Sequence, residues 1–238
     1  MPPRYEARGR TSFAPATVEV SNSRQRMEWA LFSEVPQDTV RALLTIARRR
    51  TFARGEVVFH RGDPANALHL ISSGRFAVRI TTPLGDTATL AVRGRGDAFG
   101  ELALVSEDPE RSATVQALEA AETRSVLRDD FERLRREHPS VDAILVAILA
   151  ERVRRLSEQL TEAYYLSADA RVVRRLADLA ELYEGSVPLP QEALAELAGT
   201  SRATVNRVLR ELERRGVVGL GRARIDVEAA ERLRPKSI

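Results

Sequence analysis

From Thr51 to about Leu127 the chain alternates apolar and polar residues in short runs, as in Glu56–His60, Arg75–Ile80 and Thr87–Val92, broken by Gly, Asp and Pro. A period of two repeated in many short runs predicts strands closing into a barrel or a double sheet. The period lengthens on either side. Met27 to about Arg50 reads as helical, with Val40, Leu43, Leu44 and Ile46 on one face, and Asp129 to Glu137 as a short amphipathic helix. Residues from about Ser140 to Leu166 predict one long helix. Its positions Val146, Leu149, Val153, Leu156, Leu160 and Ala163 advance by alternating steps of three and four, with Glu151, Arg152, Arg154, Arg155 and Glu158 around them. That narrow heptad seam predicts a dimeric coiled coil, whereas a helix buried in its own domain calls for a broader stripe.

Beyond the seam, Ser167 to Asp169 supply a helix cap and a hinge. Helices are expected over Arg171–Glu184, over Gln191–Ala198 with Gly199 ending it, and from Arg202 to about Arg215, capped by Ser201 and closed by Gly216. Two short helices around a glycine turn are the helix-turn-helix pattern, and Val217 to Val227 reads as a hairpin wing. Residues 1–26 are poor in apolar side chains and read as a disordered arm. The expected organisation is therefore this arm, a β domain over 27–139, a dimerisation helix and hinge over 140–168, and a winged helix-turn-helix over 169–238. The fold class is α+β.

Composition narrows the function. The 238 residues contain no cysteine, which excludes thiolate-held iron–sulfur clusters, cysteine-ligated haem and thiol redox sensing. His60, His69 and His138 are dispersed, and no metal site is expected; His69 lies in an alternating run where packing is its expected role. No paired carboxylates or Ser/His arrangement stands out, so an enzyme is not expected. No segment has the apolar length of a membrane span or signal peptide, and a cytoplasmic protein without a membrane partner is expected. Net charge is +3, and from Ala170 onward thirteen Lys/Arg face ten Asp/Glu. That excess suits a nucleic-acid surface without establishing one.

The run Phe99 to Val115 holds the candidate chemistry. Glu101 precedes Arg111 by ten residues, with Gly100 before the first and Ser112 after the second. A carboxylate can accept from a ribose hydroxyl, and a guanidinium can hold a phosphate through charge-assisted hydrogen bonds. Gly100 and the turn from Glu101 through Leu102 to Leu104 can add backbone N–H groups to the same anion.

This run closely resembles the phosphate-binding cassette of the cyclic-AMP receptor (catabolite activator) and fumarate-nitrate regulator superfamily. Phe52–Glu56, Arg61–Pro64, Leu68–Gly74 and Gly96–Glu101 resemble the same family, as does Gly199–Val208 at its DNA-reading element. The resemblance spans about Ala30 to about Val227. It implies a cyclic-nucleotide-binding β-roll of the double-sheet jelly-roll type, a long dimerisation helix and a C-terminal winged helix-turn-helix. The implied function is a homodimeric transcription regulator, controlled allosterically by a cyclic nucleotide and acting on double-stranded DNA with a two-fold operator, with RNA polymerase as a further partner.

Family roles carried onto matching positions give Glu101 the ribose 2′-hydroxyl and Arg111 the cyclic phosphate. Ser112 adds a hydroxyl, Gly100 and Ala113 add backbone contacts, and Arg152 pairs with Glu101. The base is normally read by two adjacent hydroxyl residues on the long helix; this chain has Leu156 and Ser157 there. Leucine offers the purine edge no hydrogen bond, so cAMP is the expected ligand with cGMP the alternative, and a ligand-independent regulator of the same fold is a further one. A nucleotide-regulatory module that does not bind DNA would lack the helix-turn-helix. On the DNA side, Arg202 and Arg207 match base-reading positions, and Ser201 and Thr204 match phosphate contacts. Ala203 replaces a base-reading glutamate, while Gln191, Arg222 and Arg224 are candidates for backbone contacts. Two recognition helices in a dimer would match half-sites about one DNA turn apart, ~34 Å. Activation or repression, the operator sequence and the role of residues 1–26 are not legible.

Overall fold

The computed structural model describes residues 29–81, 87–106 and 110–233, so the expected N-terminal arm lies outside the described residues. Two four-stranded antiparallel sheets face each other. One has the order β1 (Arg48–Phe52), β8 (Ala121–Leu127), β3 (Ala67–Ser73), β6 (Ala98–Phe99). The other has the order β2 (Val57–Phe59), β7 (Thr114–Ala117), β4 (Phe76–Thr81), β5 (Thr87–Arg93). Phe52, Ile71, Phe76, Phe99 and Val115 fill the space between them. β3 is buried from Ala67 through Ile71 because helices cover its other face. There Leu68, Leu70 and Val126 meet α1 (Gln37–Ile46), α2 (Arg128–Glu137) and the first turns of α3 (Asp142–Tyr165).

The helix expected over Met27–Arg50 is shorter. A single 3-10 turn at Ala30–Phe32 precedes Pro36, which stands at φ −52° and ψ 134° just before α1. Proline has no N–H and disfavours a helical conformation in the residue before it, so the helix starts afresh at Gln37. Arg48 to Arg50 leave it for β1, where Arg48 pairs with Ser125 and Arg50 with Thr123. A non-local ladder thus overrides local helix propensity.

α3 has two faces. Ile144, Leu145 and Ile148 are buried against the β-roll, whereas Val146, Val153, Leu156 and Leu160 are all more than half exposed. A 3-10 turn at Pro139–Val141 precedes α3, so the helix begins two residues later than expected. Ser167 caps α4 (Ala168–Leu182) by accepting from the Ala170 N–H, and Glu162 near the end of α3 pairs with Arg174 and Arg175 of α4. α5 (Gln191–Ala198) and α6 (Arg202–Arg214) follow, with a small sheet of β9 (Ser186–Val187), β10 (Val218–Gly221) and β11 (Arg224–Val227). Val172, Leu176, Val205, Leu209 and Ile225 form the core of this second unit.

The second unit is docked on the β-roll of its own chain. Arg75 donates to the Leu182 carbonyl through Nε (3.0 Å) and Nη2 (2.5 Å), and its guanidinium lies 4.2 Å from the centre of the Tyr183 ring. The Thr89 N–H and hydroxyl both donate to Glu196 of α5, at 2.9 and 2.5 Å. Val92 and Leu118 pack onto the core of the second unit, and a Cβ added to Gly94 would stand 2.5 Å from Leu182 Cδ1. Side chain and backbone meet there without space between.

Candidate nucleotide cleft and DNA-facing helix

β6 pairs His69 with Phe99 and delivers the chain to Gly100, whose φ of +81° lies where only glycine is unstrained. A 3-10 turn then carries Glu101 to Leu104, leaving Glu101 only 6% exposed. Its carboxylate accepts from Arg152 of α3 through Nε (3.2 Å) and Nη2 (3.1 Å). Arg111 is placed by backbone bonds across the turn before β3: its N–H donates to Asp63, and its carbonyl accepts from Gly62.

The Arg111 guanidinium is 5% exposed and lies 3.9 Å from the centre of the Phe59 ring. Nη1 donates to the Ala67 carbonyl at 2.9 Å, and Nε has no hydrogen-bond partner among the described residues. Among the described residues no carboxylate reaches it within ion-pair distance. Burial pulls its pKa down, against the opposing charges of Asp63 and Glu101. A buried, unpaired cation is costly and is relieved by an anion. A Cβ on Gly100 would stand 2.6 Å from Arg111 Nη1 and 2.9 Å from the Ala67 carbonyl, so the glycine leaves the space the guanidinium occupies.

Gly100, Glu101, Leu102, Arg111, Ser112, Ala113 and Arg152 all line one cleft, together with Phe59, Phe99 and Val115. Leu156 and Ser157 do not line it; both are exposed on α3, one turn beyond Arg152. A base contact from this helix therefore has to come from a second chain or from a movement of α3.

Sequence reasoning missed two groups here. Phe59 under Arg111 carries no motif, because only the fold brings β2 beneath it. Arg93 is 7% exposed with its Nε unpartnered among the described residues, and burial together with Arg152 lowers its pKa to about 10. Behind it Arg155 pairs with Asp97 at 2.8 Å, so the cleft backs onto a charged layer under α3. His69 has the expected packing position: it stacks on Phe99 with ring centres 5.0 Å apart, and its Nδ1 lies 3.1 Å from the Thr123 hydroxyl. Burial first, then the charges of Arg111 and Arg50, bring its pKa down to about 3. Among the described residues no group of His, Asp and Glu is arranged to hold a metal.

On the second unit, α6 buries Val205, Val208, Leu209 and Leu212 and turns Arg202, Ala203, Asn206 and Arg207 outward. Ser201 caps it by accepting from the Thr204 N–H at 3.2 Å. Gln191 at the start of α5 accepts from Asn206, Arg222 is exposed at the wing turn, and Arg224 pairs with Asp226. Arg207 forms a two-pronged pair with Asp169 of α4, Nη1 to Oδ2 at 2.9 Å and Nη2 to Oδ1 at 2.6 Å. No helix among the described residues is long and apolar enough to cross a membrane.

A β-roll cleft with an anion-ready arginine, joined by a long helix to a winged helix-turn-helix, defines a class: DNA-binding transcription regulators carrying a cyclic nucleotide-binding domain. Residues 49–138 match the Cyclic nucleotide-binding domain family and residues 170–235 the Crp-like helix-turn-helix domain. The chain is 38% identical over 203 residues to the Cyclic AMP receptor protein of Thermus thermophilus, covering 84% of this chain and 93% of that one. It is 30% identical over 211 residues to the CRP-like cAMP-activated global transcriptional regulator of Mycobacterium tuberculosis, covering 85% and 94%. Among solved structures, the Thermus thermophilus catabolite activator protein is similar with TM-score 0.50 at 36% identity, covering 85% of this chain and 95% of that one. The c-di-GMP-responsive regulator CLP of Xanthomonas campestris shares the fold with TM-score 0.68 at 24% identity, covering 81% and 99%. The chain belongs to the cyclic AMP receptor and fumarate-nitrate regulator (CRP/FNR) family of transcription regulators.

Proposed function

We propose that this regulator is a homodimer whose operator binding is controlled by a cyclic nucleotide, with cAMP the expected effector. The observation that carries the reading is the buried Arg111 guanidinium, seated against Gly100 with Nε unpartnered and no carboxylate beside it among the described residues. Arg111 and Ser112 would hold the phosphate, with Gly100 and Ala113 supplying backbone contacts, and Glu101 would accept from the ribose. Glu101 is already held by Arg152, so a ribose that engages it acts on α3 as well. The exposed Val146, Val153, Leu156 and Leu160 supply the seam for a second copy. Arg202 and Arg207 would read bases and Ser201 and Thr204 would hold phosphates, with Gln191 and Arg222 at the edges. A two-fold operator and a contact to RNA polymerase complete the proposal.

Leu156 favours a second reading. It is 55% exposed on the seam and offers a base no polar atom, so it would strengthen the dimer without ligand. An apolar wall separates purines by about 1–3 kcal/mol per missing contact, which leaves cGMP as the alternative effector. Calorimetric titration with cAMP and with cGMP, combined with DNA binding by fluorescence anisotropy and sedimentation, tests all three. Heat and thermal stabilisation with cAMP, nucleotide-dependent binding and a dimer are expected. Neither heat nor stabilisation with either nucleotide, with DNA binding intact, would establish the ligand-independent form.

A further inference from the structure

Arg207 stands on the outward face of α6, yet the two terminal nitrogens with which an arginine grips guanine O6 and N7 are both taken by Asp169. The carboxylate is held in place by the fold. Asp169 lies in the first turn of α4, and Arg171, two residues on, donates to the carbonyls of Leu166, Ala198 and Gly199. That clamps the start of α4 to the turn between α5 and α6. Nothing on α6 competes for Arg207: Ala203, one turn before it, has no carboxylate, and Glu211, one turn after it, pairs with Arg214.

We propose that Asp169 is an intramolecular competitor for the operator, occupying the base-reading edge of Arg207 until DNA displaces it. The inference rests on the reading of α6 as the DNA-facing helix and of Arg207 as one of its base readers. A guanine must exchange for the carboxylate at the same two nitrogens. The operator complex then leaves Asp169 facing a polyanion without its cation, whereas non-specific complexes held by phosphate contacts leave the pair intact. Asp169 thus lowers affinity for the cognate site in particular. Because both partners are close to half exposed or more, the effect is modest.

The test uses the full-length protein with saturating cAMP and without it. Its probes are a duplex obtained by binding-site selection, the same duplex with the guanine read by Arg207 exchanged, and an unrelated duplex. Asp169→Asn, Arg207→Ala and the double variant are compared by anisotropy, with Asp169→Ser as a second neutral variant and thermal melts to check folding. Asp169→Asn is expected to bind the selected duplex about three- to five-fold more tightly. The unrelated duplex should change little, and the gain should vanish in the Arg207→Ala background. An equal gain on all three duplexes that persists without Arg207 would mean general repulsion of DNA and would overturn the proposal. No gain in either neutral variant, while Arg207→Ala still loses discrimination, would overturn it alone. Arg207→Ala with unchanged discrimination would overturn the reading of α6 beneath it.

Discussion

Arg111 in the β-roll and Arg207 on α6 carry the same guanidinium under opposite conditions. Arg111 is 5% exposed, with Nη1 donating to the Ala67 carbonyl and an aromatic ring beneath it. Arg207 is 65% exposed and paired with a carboxylate. The desolvation cost of the first is only partly offset by Asp63 and Glu101, and no carboxylate among the described residues pairs with it, so an anion entering the cleft would gain more there than at a surface. In the proposed contact the second would give up a solvated pair for a base edge and gain mainly discrimination. On the proposed reading, affinity for a small ligand comes from burying a cation without an ion pair, and selectivity for a long polyanion from keeping a cation occupied.

Four substitutions sharpen or break that contrast, beside the Asp169 test, which carries the smallest expected effect. Arg111→Ala should weaken cAMP binding several hundred-fold, the loss expected when one side of a buried charge pair is removed at about 3–5 kcal/mol. Its melting temperature should fall only slightly: the Ala67 hydrogen bond and the Phe59 contact are lost, but so is the cost of burying a cation that has no ion pair among the described residues. Unchanged calorimetric affinity would remove the phosphate role.

His69→Phe tests the same buried layer through pH. The imidazole's pKa falls from its ordinary value to about 3 on folding, so below pH 6.5 the unfolded chain binds a proton the folded one does not. Stability is therefore complete above about pH 6.5 and declines as pH falls toward 3, with about 2 kcal/mol lost by pH 5. Urea unfolding at pH 7 and pH 5 should show a steeper decline for the wild type than for His69→Phe. Because the Arg111 charge helps depress His69, Arg111→Ala should soften the decline as well.

Gly100→Ala forces a side chain into a left-handed φ and against Arg111, and should cost about 1–3 kcal/mol in stability and displace the guanidinium. Weakened cAMP binding is expected with it; a variant that binds normally would show that Arg111 does not need this seat. Glu101→Gln keeps the size of the side chain, weakens the grip of Arg152 and should lower cAMP affinity about ten-fold, in line with a hydrogen bond to a charged group. Equal affinity would move the ribose contact elsewhere.

Much of the site was legible because its residues lie in one short run. The left-handed Gly100, the turn after it and Arg111 just ahead of β7 follow from local chemistry. The cap at Ser201 and the glycine after α5 likewise set the limits of α5 and α6 almost to the residue. What could not be read depends on pairing between distant segments. Arg48 to Arg50 become a strand only because β8 is there to receive them. Phe59, Arg93 and Asp169 gain their roles from neighbours 52, 59 and 38 positions away, in Arg111, Arg152 and Arg207. Periodicity cannot register such distances.

The joint between the two units has a consequence for unfolding. Arg75 closes the carbonyl end of α4, Glu196 satisfies an N–H on the edge strand β5, and Leu182 touches Gly94. Neither unit can melt without exposing apolar surface and stranding polar groups on the other. Scanning calorimetry should then record a single heat-absorption peak where two independent modules give two, and a nucleotide bound in the roll would raise the melting of a helix-turn-helix it never touches.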